Sequence, residues 1–144
     1  PMIGWAAVTG NVSLESIVLF AIIFMWTPPH FWALALYKSD DYAKAGIPML
    51  PVVRGNEYTR WQIVIYTLLL VGTSLFPVVI GMSGMVYLIS AVCLGSWFVV
   101  LSVRLCHHYT EVLARKTFFY SIFYLFLIFV FLMADKAIGV VHAI

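Results

Sequence analysis

Apolar residues in this chain do not alternate with polar ones; they run on. Four apolar stretches, residues 14–37, 61–81, 85–105 and 118–134, are separated by short segments that hold most of the charge. A bilayer core is crossed by about 20 apolar residues in helical form, so each stretch is long enough to span it. Backbone groups in lipid must be paired within their own segment, and the strict alternation of a membrane barrel is missing, so the stretches are read as helices. The pattern therefore predicts an all-α polytopic bundle, one membrane domain over residues 1–144 with four spans.

Composition strengthens this picture. The chain is 64% hydrophobic and 10% charged, with a mean hydropathy of +1.04, whereas a soluble domain carries about 25% charged residues. The opening, Pro1 to Val8, is apolar, lacks an initiator Met and has no charged n-region, so it is not expected to be a signal peptide. It reads as a piece cut from within an earlier helix of a longer protein. Cys93 and Cys106 are 13 residues apart on one predicted helix, about 20 Å along its axis, so they cannot bridge each other. Nothing is arranged for nucleic acid; the surface this chain is built for is lipid.

Charge sets the orientation. One set of helix ends carries Lys38, Lys44, Arg54, Arg60, Arg104, Arg115 and Lys116; the other carries only Lys136. Basic loops stay in the cytoplasm, so the segment between the first two spans faces the cytoplasm or an equivalent compartment. A bacterial inner membrane is the expected location, with a mitochondrial inner membrane as the alternative. Trp5, Trp61, Tyr87 and Tyr109 fall near predicted helix ends, where aromatic belts form.

Candidate chemistry is concentrated where the first span meets its loop. Pro28 and Pro29 each remove a backbone donor inside the span, next to His30. That break is either a simple packing kink or the shaping of a site. On a helix continued past Tyr37, the residues Trp26, His30, Tyr37 and Asp41 share one face, since steps of 4, 7 and 11 residues return near the same direction. Ionisable residues at membrane depth face the bundle interior, so this face is expected to line a cavity opening at the basic side. His30 there is a haem ligand, a proton-transfer group or a core histidine with its nitrogens satisfied; the sequence leaves all three open. The pair His107 and His108 begins a basic-side loop and reads as interfacial.

Asp40 and Asp41, with Lys44 three residues on, suit Mg2+, a hard cation usually shared between carboxylates and substrate phosphates. Lys38, Lys44, Arg54 and Arg60 surround them in sequence and suit an anionic diphosphate. The plain alternative is a solvated, positive-inside loop, since a lone pair of aspartates is a weak motif. The segment from Ala45 to Gly55 holds two prolines and two glycines around apolar residues. It is too apolar for a flexible linker and is expected to cap the mouth of the cavity. The aromatic run from Phe118 to Phe131 offers ring faces that could stabilise a carbocation.

Two strings are specific beyond such generalities: Thr27-Pro28-Pro29-His30-Phe31-Trp32 and Ala45-Gly46-Ile47-Pro48-Met49-Leu50-Pro51. With Asp40-Asp41-Tyr42 between them, and Gly4-Trp5 near the start, the chain resembles the C-terminal half of the protohaem IX farnesyltransferases, intramembrane prenyltransferases of the UbiA type. The resemblance implies a bundle of about nine transmembrane helices, of which four are present here. It implies two aspartate-rich motifs for Mg2+ and an allylic diphosphate, the first lying upstream of this chain. The second falls on Tyr37 to Asp41, where the Asp-x-x-x-Asp of the quinone-making relatives is replaced by Tyr37 at its first position and Asp41 at its last.

The implied reaction transfers farnesyl from farnesyl diphosphate to a vinyl group of haem B, with addition of water. The implied roles are Asp40 and Asp41 for the metal, Lys44 beside them as a catalytic cation, and Lys38, Lys44, Arg54 and Arg60 for diphosphate. Trp26, His30 and Tyr37 are expected at the haem and prenyl cavity. Haem A synthase or terminal oxidase assembly are the expected neighbours. The competing readings are a quinone-precursor prenyltransferase acting on a phenolic acid, and a transporter or assembly subunit with broken helices at its site. The four-span piece alone is expected to be inactive.

Overall fold

The computed structural model describes residues 1–142. Its regular elements are helices: α1 (Met2–Thr9), α2 (Leu14–Tyr37), α3 (Ser39–Lys44), α4 (Leu50–Arg54), α5 (Asn56–Val79), α6 (Met85–His107) and α7 (Glu111–His142). Four of them, α2, α5, α6 and α7, are long and apolar enough to cross a membrane. They close into a ring in which α2 packs on α5 and α7, and α6 packs on the same two.

The span boundaries differ from the sequence reading for local reasons. The second span begins at Asn56, not 61, because Gly55 (φ 88°) ends α4 and releases a new helix directly. The fourth begins at Glu111, not 118, because the Thr110 hydroxyl accepts from Leu113 N at 3.1 Å and caps the first turn. Its far end passes the apolar run because Asp135 has a partner: its carboxylate accepts from the backbone N–H of Gly84, and from that of Tyr87 at 3.3 Å. One helix thus caps the N-terminus of another. The turn between α5 and α6 is tight, with Gly81 at φ 73° and Met82 and Ser83 both donating to Pro77 O.

α2 stays helical through Pro28 and Pro29, so the expected break does not occur there. The helix stops later, at Lys38 (φ −110°, ψ 20°), and α3 follows as a separate short helix. The single face running from Trp26 to Asp41 is therefore interrupted after Tyr37.

The core is mixed. Ile22, Leu70, Phe98, Tyr124 and Ile128 form the main cluster, and Ala33, Leu36, Ile63, Leu105 and Ala114 form a second one at the basic end. Buried hydroxyls are mostly satisfied within their own helix, as Thr59 on Gly55 O and Thr117 on Leu113 O. Others bridge helices: Thr67 meets Ser102 at 3.0 Å. Tyr87 is not the belt residue its position suggested. It is fully buried, and its hydroxyl donates to Ser74 O at 2.7 Å; a phenol inside the bundle needs such a partner. Large apolar side chains such as Phe24, Leu68, Trp97 and Phe126 are half exposed on the outer faces, the arrangement lipid permits and water does not.

Candidate functional site

Two groups of residues sit at the basic end of the ring, one inside the seam between α2 and α7, one on the loop above it.

The seam group is organised by Ser121 of α7. Trp26 Nε1 donates to Ser121 O at 2.7 Å. His30 Nδ1 lies 2.7 Å from Ser121 Oγ, and that hydroxyl donates to Phe118 O at 2.6 Å. The imidazole is stacked on Trp26 on one face (4.2 Å, 20°) and on Phe118 on the other (4.8 Å, 25°), with Phe31 at its edge. Trp26 and His30 meet because residues four apart share a helix face. The sequence therefore joined them correctly, but Ser121 was missed, and Phe118 was named only as part of an aromatic run and not as a partner of His30. They are two of many polar and aromatic residues on α7, and no spacing rule reaches across 91 residues.

An apolar groove of about 450 Å³ starts at Trp26 and runs down α7 past Leu125, Phe126 and Met133. It shares Phe129 and Met133 with a second groove of about 530 Å³ that reaches Trp5, Leu19 and Lys136. The grooves lead away from the aspartate loop.

The loop group is open to solvent. Asp40, Asp41 and Lys44 are all exposed on α3. Lys38 Nζ lies 3.5 Å from Asp41 Oδ2 and 4.9 Å from the centre of the Tyr37 ring. Arg54 ends α4 beside the Tyr58 ring. The apolar segment behind them is ordered, as expected: α4 packs against α2, α3 and α5, and Pro51 is buried. Among the described residues no three His, Cys, Asp or Glu side chains converge as a metal cluster. Asp40 and Asp41 stand there as two adjacent, exposed carboxylates.

Arg60 stands apart from the other cations. Its Nε donates to Asn56 O at 3.3 Å and its Nη1 to Cys106 O at 2.9 Å, and it lies over the Tyr109 ring. Tyr109 in turn donates to Leu36 O at 3.0 Å. This pair ties the ends of α2, α5 and α6 together. Burial first, and then the carboxylates of Glu111 and Asp40, hold the Tyr109 phenol above its ordinary pKa, against the opposing pull of Ser39 and Arg60. His107 and His108 are exposed, and both cysteines are free.

Four membrane-length helices in a ring make this an all-helical membrane protein, and the family model gives its class: the chain belongs to the UbiA prenyltransferase family, matched over residues 1–134. Within that family, similar curated proteins include several of one name. The chain is 55% identical over 135 residues to the protoheme IX farnesyltransferase of Leptothrix cholodnii, which covers 94% of this chain and 44% of that protein. The enzymes of the same name from Methylibium petroleiphilum (52% over 139 residues; 96% and 45%) and Azoarcus sp. strain BH72 (55% over 135 residues; 94% and 45%) are similar to the same degree. The chain spans a little under half the length of these curated relatives. No solved structure matches it.

Proposed function

We propose that this chain carries the second half of a protohaem IX farnesyltransferase, which joins the farnesyl group of farnesyl diphosphate to a vinyl carbon of haem B and adds water to give haem O. The observation that carries this reading is its similarity, above 50% identity across nearly the whole chain, to enzymes of that name. The basic rim supports a cytoplasmic loop, and on this reading the membrane is a bacterial inner one.

The loop residues divide the work by chemistry. Asp40 and Asp41 would hold Mg2+, which when bound neutralises charge on the diphosphate. Lys38, Lys44 and Arg54, all exposed on the same rim, bind the diphosphate oxygens and favour their departure from farnesyl C1. Lys38 must give up Asp41 to do so, and their contact is a weak surface pair that costs little to open. Arg60, committed to two backbone carbonyls, acts as the strut that fixes this wall. Trp26, His30 and Tyr37 lie on the haem side, and the apolar grooves below Trp26 suit an isoprenoid tail. As farnesyl C1 loses diphosphate, the vinyl carbon attacks it, and water captures the cation left on haem. A haem A synthase is the natural consumer of the product.

Membranes bearing the full-length protein, given haem B, farnesyl diphosphate and Mg2+, should yield haem carrying farnesyl plus water by mass spectrometry. Asp41→Asn should abolish that product. Unchanged product from Asp41→Asn would remove this loop from the mechanism. Prenylated phenolic acids in place of haem O would assign the chain to the quinone-making branch.

A further inference from the structure

One assignment of hydrogens satisfies both contacts of Ser121, and it selects a tautomer of His30. A hydroxyl has one hydrogen, and a carbonyl oxygen can only accept. The 2.6 Å contact between Ser121 Oγ and Phe118 O is a hydrogen bond when the hydroxyl donates to that carbonyl. Toward His30, Ser121 Oγ can then only accept, so Nδ1 of the neutral ring carries its proton. The other nitrogen, Nε2, is left with a bare lone pair.

That lone pair is presented rather than hidden. Among the described residues Nε2 has no hydrogen-bond partner, yet it is not among the buried unpaired polar atoms, so it reaches the accessible surface. Both ring faces are covered, by Trp26 and Phe118. Ser121 takes the Nδ1 side and Phe31 packs near the edge, so what is accessible of Nε2 lies in the ring plane, the direction from which a metal ion is bound. His30 lies seven residues above the end of α2, about 10 Å inside it at 1.5 Å per residue. A ring nitrogen left unpaired at that depth is costly unless something occupies it.

We infer that His30 Nε2 ligates the iron of the haem substrate, with Ser121 and Phe118 as the relay that holds the ring in its metal-binding tautomer. The relay is of the kind that ligating histidines carry, the second N–H donated to an oxygen acceptor that sets the ring's rotation. The acceptor here is a neutral hydroxyl, and no carboxylate pairs with His30 among the described residues. A histidine built to take up a proton is usually steadied by such a carboxylate; this one is built to stay neutral. The inference rests on the reading of haem as substrate, but not on turnover.

The test is ferric haem B titrated into the full-length protein in detergent, without farnesyl diphosphate, followed by visible absorption and electron paramagnetic resonance. The wild type should show a nitrogen-ligated ferric spectrum. His30→Ala should lose it, and free imidazole should restore it. Ser121→Ala should keep the ligand but weaken haem binding by about 10- to 100-fold. A wild-type spectrum that survives His30→Ala overturns the inference. So does a His30→Ala protein that binds haem normally yet loses turnover, since that assigns the ring to proton transfer. Imidazole rescue separates lost ligation from lost folding. A histidine-ligated haem with no farnesyl transfer would keep the inference and sink the proposed reaction.

Discussion

Gly95 offers the sharpest test of how the ring is packed. It sits in the middle of α6 facing α5, and a methyl group added there would lie 2.9 Å and 3.0 Å from the two γ-carbons of Val71. Carbon atoms prefer about 3.5 Å or more, so the gap is short by roughly 0.6 Å. Val71 cannot swing away cheaply. A helical valine holds one χ1 rotamer about 90% of the time, and forcing it off costs about 0.5–1.5 kcal/mol. Overpacking in general costs about 1–3 kcal/mol. Against this, alanine gains about 1 kcal/mol over glycine in a helix interior. The balance predicts that Gly95→Ala destabilises by about 1 kcal/mol. Gly72, with nothing within 4 Å of an added methyl, is the control: Gly72→Ala should be neutral or stabilising. Unfolding in mixed detergent micelles, followed by helical circular dichroism, reads both. Val71→Ala combined with Gly95→Ala should relieve the clash and recover the propensity gain. A Gly95→Ala protein as stable as Gly72→Ala, or a double variant with no rescue, would refute the close approach of α5 and α6.

Two further predictions come from hydrogen-bonded hydroxyls. Ser74 donates to Leu70 O at 2.9 Å and so accepts from the Tyr124 hydroxyl at 2.8 Å. Ser74→Ala should cost about 1–3 kcal/mol by stranding that phenol, and a cycle with Tyr124→Phe should give a coupling of about 0.6–1.7 kcal/mol; strict additivity would show that the two do not interact. Tyr109, whose folded state favours the neutral phenol, contributes stability that is complete below its unfolded pKa of about 10. That contribution is lost as pH rises toward the raised folded value. The unfolding midpoint should therefore fall above pH ~10 in the wild type and less so in Tyr109→Phe; equal alkaline declines would exclude Tyr109 as the cause.

Helical spans were legible because in lipid an apolar run of sufficient length has only one way to pair its backbone. Their ends were less so, because ends are decided by caps. The Thr110 cap is local and could be found from sequence, whereas the Asp135 carboxylate caps a helix whose N-cap, Gly84, lies 51 residues earlier. The proline pair misled in the other direction. Pro28 and Pro29 read as a break, but α2 stays helical through them and ends at Lys38 instead. Tyr87 was misjudged for a related reason: position near a helix end suggests an interfacial ring, and only the placement of Ser74 opposite shows that its hydroxyl is satisfied inside.

The sequence by itself determined that the chain lives in lipid, how many times it can cross, which rim is basic, and that aspartate, lysine and arginine gather at that rim. These are properties of composition and spacing, and they survive any arrangement of the helices. The strings around His30 and Gly46 carried the family likewise. Only the tertiary structure set Nδ1 of His30 against one serine hydroxyl from α7. It also set Arg60 apart from the other cations by giving it the Cys106 carbonyl of α6. Hydrogen bonds act over 3 Å, and residues so close in space lie 46 to 91 positions apart in the chain; no local pattern records such a meeting before the helices have packed.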